Sequence, residues 1–164
     1  MNPRTLRAAL AGAFLLVAAA ALYAVRDNER ILAEGHIVLV QLAPVDPRSL
    51  MQGDYMALRY AIDNEILRSD GEGRYAHLAV DEEGRASLVG LGDALPTDPA
   101  QVAMKLRSRD GRETVGPNAF FFQEGRADDF SNAQWGEFRV DAGGKALLTH
   151  LRGDDLVRLG ENRR

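Results

Sequence analysis

Functional side-chain types are most concentrated between Pro44 and Tyr60, which reads Pro-Val-Asp-Pro-Arg-Ser-Leu-Met-Gln-Gly-Asp-Tyr-Met-Ala-Leu-Arg-Tyr. The stretch holds one hydroxyl, two arginines, two carboxylates and two tyrosines between apolar runs. Nucleophilic catalysis would need a placed hydroxyl with a base beside it. Lys105 and Lys145 offer amines in general terms, but neither is tied by spacing to a nucleophile, and a lysine base without one has nothing to activate. His36, His77 and His150 stand far apart without a histidine partner at i+2 or i+4, so they read as ordinary surface or half-buried imidazoles. Asp81-Glu82-Glu83, Asp128-Asp129 and Asp154-Asp155 lack the alternating oxygen ligands of a calcium loop and read as solvated turns. The chain has no cysteine, which excludes disulfides and thiolate metal sites. No catalytic residue, metal site or cofactor is therefore expected, and the remaining chemistry is recognition.

Local rules suggest how the stretch is built. Asp46 can cap a short helical turn, Pro47 suits its first position, and Gly53 can take the left-handed conformation that ends it. From Asp54 the side chains should alternate along a strand reaching Ile62. Met56, Leu58, Tyr60 and Ile62 then face the core, and Tyr55, Ala57, Arg59 and Ala61 face outward. Tyr55 and Arg59 would lie about 13 Å apart at ~3.3 Å per residue, marking two ends of a groove. Arg48, Asp54, Tyr55 and Arg59 are the candidate binding set. The competing account is structural: Gly53 and Asp54 serve a turn, the aromatics pack, and Arg59 covers apolar surface with its stem.

Gly53, Asp54, Tyr55, Leu58 and Tyr60 resemble the pattern that names the GDYXXLXY proteins, with Asp46-Pro47-Arg48 upstream as is usual there. A second segment, Gly116, Phe120, Phe121, Glu124 and Gly125, resembles that family's Gly-x-x-x-aromatic-Phe-x-x-Glu-Gly stretch. The resemblance covers most of residues 36 to 152. It implies a bacterial, membrane-anchored domain, often encoded beside a multi-pass membrane protein, and no catalytic residues. Met51-Gln-Gly53-Asp54-Tyr55 is also similar to the segment after the nucleophile in signal-peptidase-like serine proteases. That family needs a serine about eight residues before the glycine, where this chain has Val45; Ser49 is only four before it. An envelope hydrolase or peptidase thus stands as an alternative with its nucleophile missing, beside an envelope structural protein.

Residues 8 to 25 carry no charge and are rich in Ala, Leu and Val, with Arg4 and Arg7 before them and Arg26 after. Eighteen residues just span a bilayer at ~1.5 Å each, and the basic start favours a cytoplasmic amino terminus. A cleaved signal peptide competes, since Ala20 and Ala21 offer small-residue cleavage sites, but the apolar run exceeds the usual signal core. The reading is therefore a single-pass membrane protein anchored by residues 8 to 25 with its carboxy-terminal domain outside the cytoplasm, and the resemblance implies that the membrane is the bacterial inner membrane and the domain periplasmic or extracytoplasmic. Residues 1 to 30 form the anchor and juncture, and residues 31 to 164 the domain. Without Arg4 and Arg7, 18 basic residues face 24 acidic ones, so the net charge falls from −4 to −6. Nucleic-acid binding is excluded for want of a basic stripe. The resemblance implies a multi-pass membrane protein as the partner.

The remaining elements follow in order. His36 to Ala43 reads as a buried strand, Asn64 to Gly73 as a polar loop with one helical turn near Glu65 to Arg68, and Tyr75 to Val80 with Arg85 to Leu91 as a hairpin. Gly92 to Pro99 is a connection. Val102 to Leu106 then repeats the pattern of Val38 to Leu42 at an offset of 64, and Phe138-x-Val140-Asp141-x-x-Gly144-Lys145-Ala146 repeats Leu78-x-Val80-Asp81-x-x-Gly84-Arg85-Ala86 at an offset of 60. Two half-repeats, 36–91 and 101–152, would give eight strands. Common turn chemistry chosen twice explains the hairpin match equally well. A short helix is expected from Ala127 to Gln134 with Phe130 inward. Phe120-Phe121-Phe122 must place rings on both faces of a strand. The fold class is mostly antiparallel all-β, a sandwich or partly open barrel, with one transmembrane helix and a short extra helix.

Overall fold

A computed structural model describes residues 3–43, 51–52, 55–69, 71–109 and 111–160. Helix α1 (Pro3–Glu34) is built from Ala and Leu, the strongest helix formers. It extends about 48 Å at ~1.5 Å per residue. Leu10–Glu34 is long and apolar enough to cross a membrane. Phe14, Leu16 and Tyr23 on it are exposed, whereas Ile31 near its end is 1% exposed. The charged juncture expected after Val25 is thus the last two turns of this helix, and the chain enters β1 (His36–Gln41) directly from Gly35.

Ten further strands follow among the described residues: β2 (Met51–Gln52), β3 (Tyr55–Ala57), β4 (Tyr75–Val80), β5 (Ala86–Gly92), β6 (Gln101–Lys105), β7 (Arg107–Arg109), β8 (Arg112–Thr114), β9 (Ala119–Phe121), β10 (Trp135–Val140) and β11 (Ala146–Arg152). The eight expected strands are all represented, and β2, β7 and β8 are additional short ones. They form antiparallel sheets ordered β1-β10-β11, β2-β3-β9, β5-β4-β6 and β7-β8, which do not close into a barrel. One core serves them all, centred on Val38, Val40, Tyr60, Leu78, Met104, Phe138, Val140 and Leu151.

The strand expected from Asp54 to Ile62 is shorter than its alternation suggested. Strand β3 stops pairing at Ala57, and α2 (Ala61–Arg68) takes over after an extended Tyr60. The inward set was Met56, Leu58, Tyr60 and Ile62, and all four are buried. Helix α2 starts on the same inward side, with Ile62 and Ile66 one turn apart facing the core, so period-2 and period-3.6 patterns coincide at the junction. The helix therefore begins four residues earlier than the turn expected at Glu65. The helix expected over residues 127–134 is one 3-10 turn, Ala127–Phe130, with Phe130 buried.

The two long hairpins correspond in detail. Each turn has its glycine at positive φ, 87° at Gly84 and 81° at Gly144, a conformation that costs a side-chain-bearing residue strain. In each, the aspartate Oδ1 accepts two backbone N–H groups: Glu83 and Arg85 donate to Asp81, and Gly143 and Lys145 to Asp141. Each hairpin shifts register at the equivalent place, between His77 and Leu78 and between Glu137 and Phe138. The third strand of each sheet comes from the other half: β1 pairs β10 with Val38 opposite Phe138, and β6 pairs β4 with Val102 opposite Leu78. Those pairs are equivalent under the offsets of 64 and 60.

Candidate functional site

The two motif segments meet. Strands β3 and β9 pair with Tyr55 opposite Phe121, Met56 opposite Phe120 and Ala57 opposite Ala119. Beyond the pairing, the Leu58 N–H donates to the Asn118 carbonyl at 2.7 Å, and the Tyr60 hydroxyl donates to the Pro117 carbonyl at 2.8 Å. Gly116 lies under the Tyr60 ring, where a Cβ would come within 2.6 Å of the hydroxyl oxygen and 2.7 Å of Phe138 Cζ. Tyr60 is 1% exposed. Burial, and then the nearby Asp63 carboxyl, push its hydroxyl well above the usual tyrosine range, so it acts as a neutral donor. Leu58, Tyr60 and Gly116 thus serve the fold.

Arg59 points the other way and is exposed. It lines an open groove of about 970 Å³ together with Tyr60, Asp63, Ile66 and Leu67, the Gly71–Gly73 stretch, Leu91, and Arg112 to Thr114 of β8. Asp63 sits in the first turn of α2, where its Oδ2 accepts the Thr114 hydroxyl at 2.8 Å and its Oδ1 the Val115 N–H at 3.2 Å. Burial raises its carboxyl above the ordinary range, and the Thr114 and Val115 bonds offset part of that rise. The groove thus presents an arginine pair, several carboxylates and an apolar floor, the chemistry of a recognition surface rather than of one bound ion.

Of the candidate binding set, Arg59 lines the groove and Tyr55 does not. Tyr55 instead packs its ring 5.9 Å from that of Phe121. Phe121 is 75% exposed, the most exposed aromatic of the domain. The triple phenylalanine resolves accordingly: Phe120 and Phe122 pack on Phe130 at 5.4 and 5.1 Å between centroids, and Phe121 faces out. Glu124 is exposed, and Gly125 has a φ of 79°. Asp46, Pro47, Arg48, Gly53 and Asp54 lie outside the described residues, as does Ser49.

Lys145 donates to Asp27 Oδ2 at 2.7 Å and to Asn28 Oδ1 at 2.8 Å, and Arg139 donates to the Gly35 carbonyl at 3.0 Å. With Ile31 buried, these contacts clasp the end of α1 to β10 and β11. The Lys145 hydrogen bond holds the Asp27 carboxyl below its ordinary range. Lys105 is exposed on β6. His77 meets the Ala94 carbonyl at 2.9 Å.

Glu137 escaped the sequence reading altogether. It is fully buried, with Arg152 and Arg158 contacting its two oxygens at 2.6 and 2.7 Å and His150 Nδ1 at 3.6 Å. Burial alone would raise its carboxyl, but hydrogen bonds from Arg158 and Arg152 outweigh that and hold it low. Simple alternation turns Gly136 and Phe138 inward and Glu137 out. That alternation holds: the register shift skips Thr149 of β11 and leaves β10 regular, so Glu137 stands beside Leu39 on the face away from Val38 and Phe138, where Arg152 and Arg158 cover it. No local signal marks it, because the arginines that cover it lie 15 and 21 residues further along the chain.

No curated protein and no solved structure matches this chain. The family model described as GDYXXLXY protein matches residues 17–151, which takes in the end of α1, both interlocked motif segments and both long hairpins. The chain belongs to the GDYXXLXY family.

Proposed function

We propose that the protein is a signal-anchored binding or accessory module, held at the bacterial inner membrane by α1, whose domain lies outside the cytoplasm and engages a membrane protein. The observation that carries this reading is the clasp between the end of α1 and the domain. Asp27, Asn28 and Ile31 are fixed to β10 and β11 by Lys145, Arg139 and the sheet itself. A domain joined to a spanning helix in this way stays within about one helix turn or two of the bilayer surface, so the partners it meets are in or on that bilayer. Arg4 and Arg7 before the apolar run set the orientation by the positive-inside rule. The groove beside Arg59 and the pair of half-buried Tyr55 and exposed Phe121 supply arginine and aromatic groups, the side chains that dominate protein interfaces.

Two measurements test this. A reporter active only in the cytoplasm, fused after Arg164, should be silent, and activity there would overturn the topology. The intact protein purified from its own membrane should carry a membrane-protein partner, lost on Arg59→Ala or Tyr55→Ala with melting unchanged. Retention of the partner in full by both variants would reduce the outward residues to scaffold, and a mature form lacking residues 1–20 would remove the anchor.

A further inference from the structure

The second half of the domain carries a docked peptide of its own. After β11 the chain doubles back, with Arg158 opposite Arg152 in an antiparallel bridge and the Leu159 N–H donating to the Leu151 carbonyl at 2.8 Å. Leu159 packs against the core, the Gly160 backbone lies against the Phe130 ring, and Arg126 grips the Gly160 carbonyl at 2.7 Å. The tail therefore fills the space between the free edge of β11 and the 3-10 turn Ala127–Phe130.

The first half has the same frame. Leu91 corresponds to Leu151 at the offset of 60, β5 is the edge strand of its sheet as β11 is of its own, and α2 occupies the place of the 3-10 turn. The chain after β5 leaves in another direction. Arg74 holds Asp93, and His77 meets the Ala94 carbonyl, sending the chain towards β6. None of residues 93–100 lines the groove, whose apolar lining includes Ile66, Leu67 and Leu91.

We propose that this groove receives an extended segment of a partner protein along the Leu91 end of β5, with a leucine-like side chain set against α2, as the second half receives its own Val157–Gly160. The proposal rests on the reading of the protein as a binding module and names the form its partner takes. Strand addition to a free edge supplies backbone hydrogen bonds for affinity, and the pocket beside the edge selects the side chain. Leu67 is the natural selector, being 69% exposed on α2 and facing the groove.

The probe is a fluorescent octapeptide with the sequence of residues 153–160, titrated to millimolar concentration against the full chain in detergent. Saturable binding is expected, weakened at least tenfold by Leu67→Glu, or by Leu67→Ser if the first variant fails to melt like the wild type. It should be abolished when the second leucine of the peptide is aspartate. Absence of saturable binding overturns the proposal. So does binding that ignores both Leu67 variants and strengthens in Arg126→Ala, since the peptide would then be replacing the chain's own tail. Leu67→Glu that loses the peptide but keeps the co-purifying membrane partner overturns the groove as its docking place and leaves the module reading standing, whereas a wild-type protein with no partner overturns that reading itself.

Discussion

Gly116→Ala is the smallest change that should damage the motif. Its Cβ would lie 2.6 Å from the Tyr60 hydroxyl oxygen and 2.7 Å from both Tyr60 Cζ and Phe138 Cζ, where carbon contacts below 3.0 Å essentially never occur. Neither ring can yield cheaply: Tyr60 and Phe138 are both fully buried, 5.6 Å apart, and the Tyr60 hydroxyl is tied to the Pro117 carbonyl. Overpacking a tight site by one methyl costs about 1–3 kcal/mol. For a domain of this size that corresponds to a fall in Tm of roughly 3–12 °C. Gly90→Ala is the control, because a Cβ there meets nothing within 4 Å. Melting of the full chain in detergent, followed by circular dichroism, reads the difference. Combining Gly116→Ala with Phe138→Leu should cost less than the sum of the two by about 0.5 kcal/mol or more, because the shorter side chain removes the Phe138 clash and gives the Tyr60 ring room to shift. A Gly116→Ala variant melting within ~1 °C of the Gly90→Ala control would refute the claim that the two motif segments are fitted to each other.

Three further outcomes follow from the electrostatics and are read by melting or by spin labels. Glu137→Gln leaves Arg152 and Arg158 under-compensated; about 3–5 kcal/mol is the ceiling set by fully buried pairs, since both arginines keep some water. Because the folded carboxyl of Glu137 titrates below its unfolded value, its contribution is complete above the ordinary carboxylate range and is lost as pH falls through the depressed value, so Glu137→Gln should flatten the acid limb of the stability profile. Asp63 has the opposite sign: its carboxyl is raised, so stability falls as pH rises from its unfolded value through the folded one, and Asp63→Asn should match or exceed the wild type at pH 7 while Asp63→Ala, which strands Thr114 and Val115, should not. Lys145→Met should broaden the spin-label distance distribution between α1 and β11 without altering the domain's melting; an unchanged distribution would show that Ile31 and Arg139 hold the helix alone.

Side-chain periodicity carried most of the fold. The hairpins were legible because Asp-x-x-Gly turns punctuate alternating runs, and Met56, Leu58 and Tyr60 because alternation places them on one face. What escaped depends on contacts distant in sequence. The early start of α2 hid behind Ile62, which is inward under either period. Glu137 hid on the outward face of β10, where Arg152 and Arg158, 15 and 21 residues further on, cover it. The Lys145 clasp joins residues 118 positions apart, so its partner could not be read locally. Arg59 was legible as outward, but the groove beside it is completed by β8, a strand from the other half that the sequence did not announce.

The strand pairing bears on how that groove came to be asymmetric. Common turn chemistry accounts for Asp81 and Asp141 in equivalent hairpins, yet it has no reason to place a register shift at both His77 and Glu137, or to pair β6 with β4 in the register of β1 with β10. The pairing of β3 with β9 adds an independent observation: at the offset of 64, Met56 corresponds to Phe120, and these two lie opposite each other, as residues at a two-fold axis must. The offset falls from 64 to 60 between those strands and the hairpins, where two turns of α2 stand against one 3-10 turn. Two half-repeats, 36–91 and 101–152, that exchanged their first strands across this axis would produce this pairing. On that reading the four extra residues are what convert a slot filled by the chain's own tail into a groove open beside Arg59, and shortening α2 by one turn should close the groove while leaving both hairpins intact.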